Sequence, residues 1–153
     1  MGTITLPASG SIYLDTNAFI YSVERVSPYV SLLVEVWRDV RSKGLTVVTS
    51  ELTLLETLVK PVRERKNQLE QRYRRLLTTA QEVRLAPIDR SVLEVALQIC
   101  ATAGLKTPDA IHAAAALQAG CGLLITNDPV FRRVSGLTVV VLDDYLSKRG
   151  TPE

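Results

Sequence analysis

The stretch S-I-Y-L-D-T-N, residues 11–17, largely decides which fold the sequence predicts. Its first four residues favour a short strand, and the polar run that begins at Asp15 predicts a turn into a helix. Asp15 is therefore expected at the carboxyl end of a strand. In open parallel sheets the functional crevice lies beyond those ends, which makes Asp15 a candidate functional residue.

Alternating strands and helices are predicted along the rest of the chain. Further short apolar strands are expected at residues 45–48, 83–88, 123–126 and 139–142, with helical patterns between them and a short helix at 143–149. Continuous apolar strands separated by helices are typical of a parallel sheet covered by helices on both faces. The sequence thus predicts a single α/β domain over residues 1–153, with its core at about 11–146.

The helix before the second strand carries clear start and stop signals. Ser27 is predicted to cap it, with Pro28 at its first position, and Gly44 ends it. Apolar residues recur at helical spacing and predict one packing face, made of Val30, Leu33, Val34, Trp37 and Val40.

Composition excludes several classes of protein. With 46% hydrophobic and 22% charged residues the chain is a folded protein, and no apolar run approaches the ~18 residues of a membrane-spanning helix. No secretory signal is evident, so a cytoplasmic location is expected. Cys100 and Cys121 lack C-x-x-C spacing and are interpreted as buried thiols. The single histidine, His112, excludes acid–base catalysis by a pair of imidazoles within one chain.

Positive charge is concentrated between residues 60 and 75. This segment has seven Lys or Arg against two Glu, a net +5, so the remainder of a chain of net +2 carries −3. A basic stripe beside an acidic body can hold a polyanion near an acid-lined site. The alternative interpretation is a solvated helix face.

Two further acids are expected near Asp15. Thr107 and Pro108 open an alanine-rich helix with Asp109 in its first turn, and Asp128 follows the fourth strand. Taken singly, Asp109 could be a capping residue and Asp128 could begin a turn. If the three acids converge at ~4 to 5 Å, each pair repels by roughly 3 to 4 kcal/mol at an effective dielectric near 20. A divalent cation would relieve that repulsion, and carboxylate oxygens favour Mg²⁺ or Mn²⁺ over zinc.

Four segments resemble the signature blocks of the PIN domain family, and most closely its VapC-type toxins. They are Y-L-D-T-N-A-F-I-Y at 13–21, S-E-L-T-L-L-E-T at 50–57, T-P-D-A-I-H-A-A-A-A at 107–116 and L-I-T-N-D-P-V-F at 124–131. The resemblance spans nearly the whole chain. It implies a Mg²⁺- or Mn²⁺-dependent endoribonuclease that leaves 5′-phosphate and 3′-hydroxyl ends.

The resemblance also implies the site residues. The catalytic acids would be Asp15, Glu56, Asp109 and Asp128. Of these, Asp15, Asp109 and Asp128 would hold the metal. The supporting polar residues would be Thr16, Asn17, Thr126 and Asn127.

Glu51 competes with Glu56 for a place in the site. Five residues apart on a helix, they point ~140° away from each other, so only one can face the pocket. The spacing of the family's blocks favours Glu56. His112 follows Asp109 by three residues, and we interpret it as a packed histidine that donates to a backbone carbonyl. Tyr13, Phe19 and Tyr21 are interpreted as core or interface groups rather than base-stacking platforms.

Partners follow from the basic segment and from the resemblance. Phosphate contacts with RNA are predicted for Arg63, Lys66, Arg72, Arg74 and Arg75. The resemblance implies an antitoxin that covers the pocket and a symmetric homodimer. The alternatives are a non-toxin PIN nuclease or an RNA-binding scaffold of the same fold, and an acid-pocket phosphotransfer protein. The last should have an acidic pair after the first strand and a lysine near the last strand, and neither is evident.

Overall fold

The sheet contains five parallel strands. A computed structural model of the protein describes residues 2–149. Its strands lie in the order β3-β2-β1-β4-β5, and each neighbouring pair is parallel. Their bounds are β1 Ser11–Leu14, β2 Thr46–Ser50, β3 Val83–Ala86, β4 Leu124–Thr126 and β5 Val139–Val141. The central strand β1 is thus the one that leads into Asp15.

Helices connect the strands, as the alternating pattern predicts. Within residues 2–149 there are seven α-helices and one short 3₁₀ helix, Pro129–Arg133. The α-helices are α1 Thr16–Val23, α2 Tyr29–Lys43, α3 Leu52–Arg63, α4 Asn67–Thr78, α5 Arg90–Ala103, α6 Thr107–Gln118 and α7 Leu142–Arg149. None of the helices in this part of the chain is long and apolar enough to cross a membrane.

Apolar cores fill both faces of the sheet. Successive side chains of a strand point to opposite faces, so Ile12 and Leu14 pack in one core while Tyr13 packs in the other. The second core includes the alanines of α6, which are buried from Ala113 to Ala116. Small side chains let α6 lie close to the sheet, and this confirms the predicted α/β fold with helices on both faces.

Three boundary details differ from the sequence prediction. Helix α2 begins at Tyr29, with Pro28 rather than Ser27 in the capping position and no side-chain cap. Helix α6 begins at Thr107 itself, also without a side-chain cap. Strand β3 ends at Ala86 and does not reach residue 88, because Pro87 has no N–H to donate to a ladder.

The packing face of α2 is also shifted. Val34 is 49% exposed, whereas Val36 is 2% exposed. The buried stripe is centred on Leu33, Trp37 and Val40, and Val34 lies 100° around the helix from Leu33. The prediction that Val34 packs in the core is therefore wrong.

Candidate active site

Asp15 directly follows strand β1, beside the carboxyl end of the neighbouring strand β4. It is 6% exposed, and its Oδ1 accepts the backbone N–H of Thr16 at 2.8 Å. Its Oδ2 accepts the hydroxyl of Thr126, at the end of β4, at 2.8 Å. Both carboxylate oxygens thus have hydrogen-bond donors, which fix the orientation of the carboxylate.

Glu56, on α3, joins the same edge. Its Oε1 accepts the Thr16 hydroxyl at 2.8 Å and lies 2.7 Å from Nε2 of His112. The hydrogen bond from His112 holds the pKa of Glu56 below its ordinary value, against the opposing effect of burial. Glu51 lies exposed in the capping position of α3. Of the two glutamates, it is Glu56 that contacts Thr16 and His112.

His112 lies buried between Glu56 and the core. It is 1% exposed, and its Nδ1 is 2.6 Å from the hydroxyl of Tyr13. Its Nε2 also lies 3.7 Å from Oδ1 of Asp15. The interpretation of a packed histidine is correct, but the prediction of a backbone carbonyl partner is wrong, because both ring nitrogens face side chains. The three-residue spacing from Asp109 was the available signal that it lies near the acids.

Asp109 lies in the first turn of α6, and the charges of the other acids affect its pKa. Burial raises its pKa most, followed by the negative charges of Asp15 and Asp128, with a smaller contribution from Glu56. Nearby His112 acts in the opposite direction. A positive helix end favours an ionised carboxylate, whereas burial and the neighbouring carboxylates act in the opposite direction at Asp109. The four acids are therefore close enough to influence one another.

The described residues at this edge of the sheet do not form a complete metal-binding site. Among residues 2–149, no group of three or more His, Cys, Asp or Glu side chains is arranged to hold a metal ion. The donors are nevertheless oxygens of carboxylates and hydroxyls, which suit a hard cation. Mg²⁺ keeps several waters and binds through one or two carboxylates plus substrate phosphates, so these residues fit such an ion chemically.

Asp128 also begins a turn, as the alternative interpretation held. Its Oδ1 accepts the N–H of Val130 at 2.9 Å and so caps the 3₁₀ helix. Its own N–H donates to the Thr126 hydroxyl at 3.1 Å. Thr126 therefore connects Asp15 with Asp128 and acts as a supporting residue for both.

The two predicted asparagines are placed differently from the threonines. Asn127 accepts the N–H of Asp143 through Oδ1 at 3.0 Å and so holds the start of α7. Asn17 lies exposed in the first turn of α1. Of the four supporting residues, Thr16 and Thr126 contact the acids.

One end of the basic segment reaches the acids. Lys60 and Lys66 line a cavity of about 190 Å³ together with Glu56. Lys66 also pairs with Glu64, at 3.2 Å. Glu24 and Glu64 line the same cavity, so its two lysines lie among three carboxylates.

The other predicted phosphate contacts lie further along the segment. Arg72 and Arg75 line a separate depression on α4, and Arg74 pairs with Glu70 at 2.9 Å. Arg63 borders an apolar groove on α3. The structure therefore places Lys66 in a cavity that Glu56 also lines, and distributes the arginines over other parts of α3 and α4.

Solved structures with the same fold include several toxin–antitoxin proteins. The crystal structure of VapBC2 from Rickettsia felis bound to a promoter DNA fragment is 16% identical, with a TM-score of 0.67 over 86% of this chain and 98% of that one. VapC20 from Mycobacterium tuberculosis, a sarcin–ricin loop cleaving toxin, is 19% identical, with a TM-score of 0.68 over 85% and 98%. A toxin–antitoxin complex from Klebsiella pneumoniae is 24% identical, with a TM-score of 0.62 over 86% and 97%.

These identities are low, so the similarity concerns the fold. A comparison with curated protein sequences found no match. The sequence model described as PIN domain, however, matches residues 12–137. Because this match covers most of the chain and includes all four acids, the protein belongs to the PIN domain family.

Proposed function

We propose that the protein is a Mg²⁺- or Mn²⁺-dependent endoribonuclease and the toxin of a type II toxin–antitoxin pair. The observation that carries this proposal is that Thr16 donates hydrogen bonds to both Asp15 and Glu56. Asp109 and Asp128 lie near enough for the charges of the acids to raise the pKa of Asp109. Membership in the PIN domain family supports it, and so does the fold shared with VapC-type toxins.

The four acids divide two tasks between them in this proposal. Asp15, Asp109 and Asp128 would hold the cation, which when bound neutralises phosphate charge and acidifies a water molecule. Thr16 and Thr126 keep Asp15 in one orientation, so that its oxygens need no rearrangement when substrate arrives. Glu56 orients the attacking water for in-line displacement at phosphorus, with products that carry 5′-phosphate and 3′-hydroxyl ends.

The RNA lies across the acid edge and the basic segment. Lys60 and Lys66 contact the phosphate next to Glu56, and Arg63, Arg72, Arg74 and Arg75 attract the flanking backbone. We further propose a cytoplasmic homodimer whose pocket is covered by a cognate antitoxin. The support for the antitoxin is that neighbours of the same fold were crystallised as VapBC or toxin–antitoxin complexes.

The direct experiment is cleavage of RNA by the purified protein. We expect cleavage with Mg²⁺ or Mn²⁺, none with EDTA, and loss of cleavage in Asp15→Asn and Glu56→Gln with unchanged folding by circular dichroism. Glu51→Gln is the matched control, since Glu51 lies exposed on the same helix, and it should cleave normally. Cleavage that resists EDTA contradicts the proposal, and RNA binding without cleavage favours the scaffold alternative.

The toxin role needs its own experiment. Induced expression in a bacterial host should arrest growth with the wild-type chain and not with Asp15→Asn. Active nuclease without growth arrest would indicate a non-toxin member of the family.

A further inference from the structure

A chain of hydrogen bonds runs from the sheet to Glu56. The backbone N–H of Ser50 donates to the Tyr13 hydroxyl oxygen at 3.0 Å. That hydroxyl lies 2.6 Å from Nδ1 of His112, whose Nε2 lies 2.7 Å from Oε1 of Glu56. The chain thus connects strands β2 and β1 with helix α6 and ends on an acid of helix α3.

The donors and acceptors determine the direction of this chain. A backbone N–H can only donate, so the Tyr13 oxygen accepts from Ser50. The Tyr13 hydroxyl has one hydrogen of its own to donate, and Nδ1 of His112 lies 2.6 Å from its oxygen. Nδ1 of His112 is an acceptor within reach of that hydrogen. When Nδ1 accepts, Nε2 carries the ring hydrogen and points at the Glu56 carboxylate.

The direction of these hydrogen bonds matters because Tyr13 and His112 are buried. Tyr13 is 0% and His112 is 1% exposed, so a hydrogen bond lost inside the chain leaves a polar group without water to replace its partner. Within residues 2–149, every buried side-chain nitrogen or oxygen atom has a hydrogen-bond partner. A reversed tautomer would leave the Glu56 carboxylate facing a bare ring nitrogen, with two acceptor atoms only 2.7 Å apart.

We propose that Tyr13 and His112 are positioning residues that hold Glu56 in one orientation by presenting an Nε2–H donor to its carboxylate. The inference rests on the proposed function, because it assumes that Glu56 belongs to the catalytic site. Thr16 supplies the second donor to the same Oε1 atom. Partners of this kind, one contact away from the reacting groups, typically change activity by roughly 10- to 100-fold when removed.

The tautomer can be measured directly. Because the chain contains one histidine, long-range ¹H–¹⁵N NMR of the imidazole reports on His112 without assignment. We expect a protonated Nε2 and an unprotonated Nδ1 at neutral pH, and a shift toward the Nδ1–H form in Tyr13→Phe. A wild-type Nδ1–H form, a doubly protonated ring, or no response to Tyr13→Phe overturns the proposed chain.

Two substitutions of His112 separate positioning from packing. The amide nitrogen of Gln can reproduce the Nε2 donor, whereas that of Asn lies near the Nδ1 position and does not reach Glu56. We expect His112→Asn to lower kcat by roughly 10- to 100-fold with little change in KM. His112→Gln should recover most of the rate. Equal losses in both variants at unchanged melting temperature would indicate a packing role and overturn the proposal.

Failure of the inference can be told from failure of the proposed function. If the wild-type protein cleaves no RNA with Mg²⁺ or Mn²⁺, or if Glu56→Gln cleaves normally, the function assigned to the site is wrong, whatever the NMR shows. If Glu56→Gln is inactive while His112→Asn and Tyr13→Phe cleave like the wild type, only the positioning role is wrong. If His112→Asn does not fold, Tyr13→Phe provides the kcat comparison, and normal cleavage by it counts against the proposal.

Discussion

Thr16 contacts two acids of the site through two different groups. Its backbone N–H donates to Asp15, and its hydroxyl donates to Glu56. The same hydroxyl lies 3.3 Å from that of Thr53 and 3.2 Å from Nε2 of His112. A residue that the resemblance implied only as a supporting hydroxyl therefore connects Asp15, which follows strand β1, with Glu56 on helix α3.

Replacing Thr16 by valine tests this role. Thr16→Val keeps the branched shape and the backbone donor to Asp15 but removes the hydroxyl that contacts Glu56. We expect kcat for RNA cleavage to fall by roughly 10- to 100-fold, with a loss of unfolding free energy of about 1 kcal/mol. Thr102→Val, at an exposed position on α5, is the control. An unchanged kcat would contradict the role of the hydroxyl.

At the level of elements, α3 and α4 form a helical pair beside the sheet. Helix α4 buries only Tyr73 and Leu77 and presents its charged side outward. The Tyr73 hydroxyl donates to Glu24, the residue that ends α1. This contact ties the basic helix to the element that carries Thr16, and so keeps the positive surface next to the acids.

The basic surface of this pair should determine how RNA binding depends on salt. Each phosphate contact with a single strand contributes about 0.7 to the slope of log K against log salt. Replacing Lys66, Arg72 and Arg75 by Gln should therefore lower the slope by about two, measured by fluorescence anisotropy with the inactive Asp15→Asn background. The control replaces Arg38, Arg41 and Arg90, which are exposed on other helices. Equal slopes in both triple variants would show that the segment does not bind the phosphates.

For the whole molecule, the charge of Asp109 is unfavourable to the folded state. Burial, followed by the neighbouring carboxylates of Asp15, Asp128 and Glu56, raises the pKa of Asp109. The folded state therefore disfavours its charge at neutral pH, where the unfolded chain ionises freely. Removing that charge should stabilise the folded state. A bound cation would offset the same repulsion while the carboxylate of Asp109 remains in place.

Thermal unfolding of Asp109→Asn should separate these effects. In EDTA we expect its melting temperature to exceed that of the wild type by roughly 2–4 °C, a shift worth about 1 kcal/mol in a domain of this size. Added Mg²⁺ or Mn²⁺ should stabilise the wild type more than the variant, because binding to the native state raises its stability. Asp39→Asn on α2 is the control. A variant that is less stable than the wild type in EDTA would contradict the repulsion.

The architecture was predictable because it depends on local patterns. The five apolar runs became five parallel strands, and Gly44 and Gly104 end their helices with φ of +65° and +72°. These conformations favour glycine, so the signal is carried by one residue and its neighbours. The positions of Asp15 and Asp128 at strand ends followed from the same patterns.

The sequence by itself determined the alternation of strands and helices, the edge at which the acids lie, and the family whose blocks they form. Only the tertiary structure decided that Glu56 contacts Thr16, that His112 contacts Tyr13 and Glu56, and that Lys66 is the predicted RNA contact that lines a cavity with Glu56. The physical reason is the separation along the chain between the residues that interact. Helix and strand periodicity is set by residues a few positions apart, whereas Tyr13 and His112 are 99 residues apart and meet only when α6 packs on the sheet.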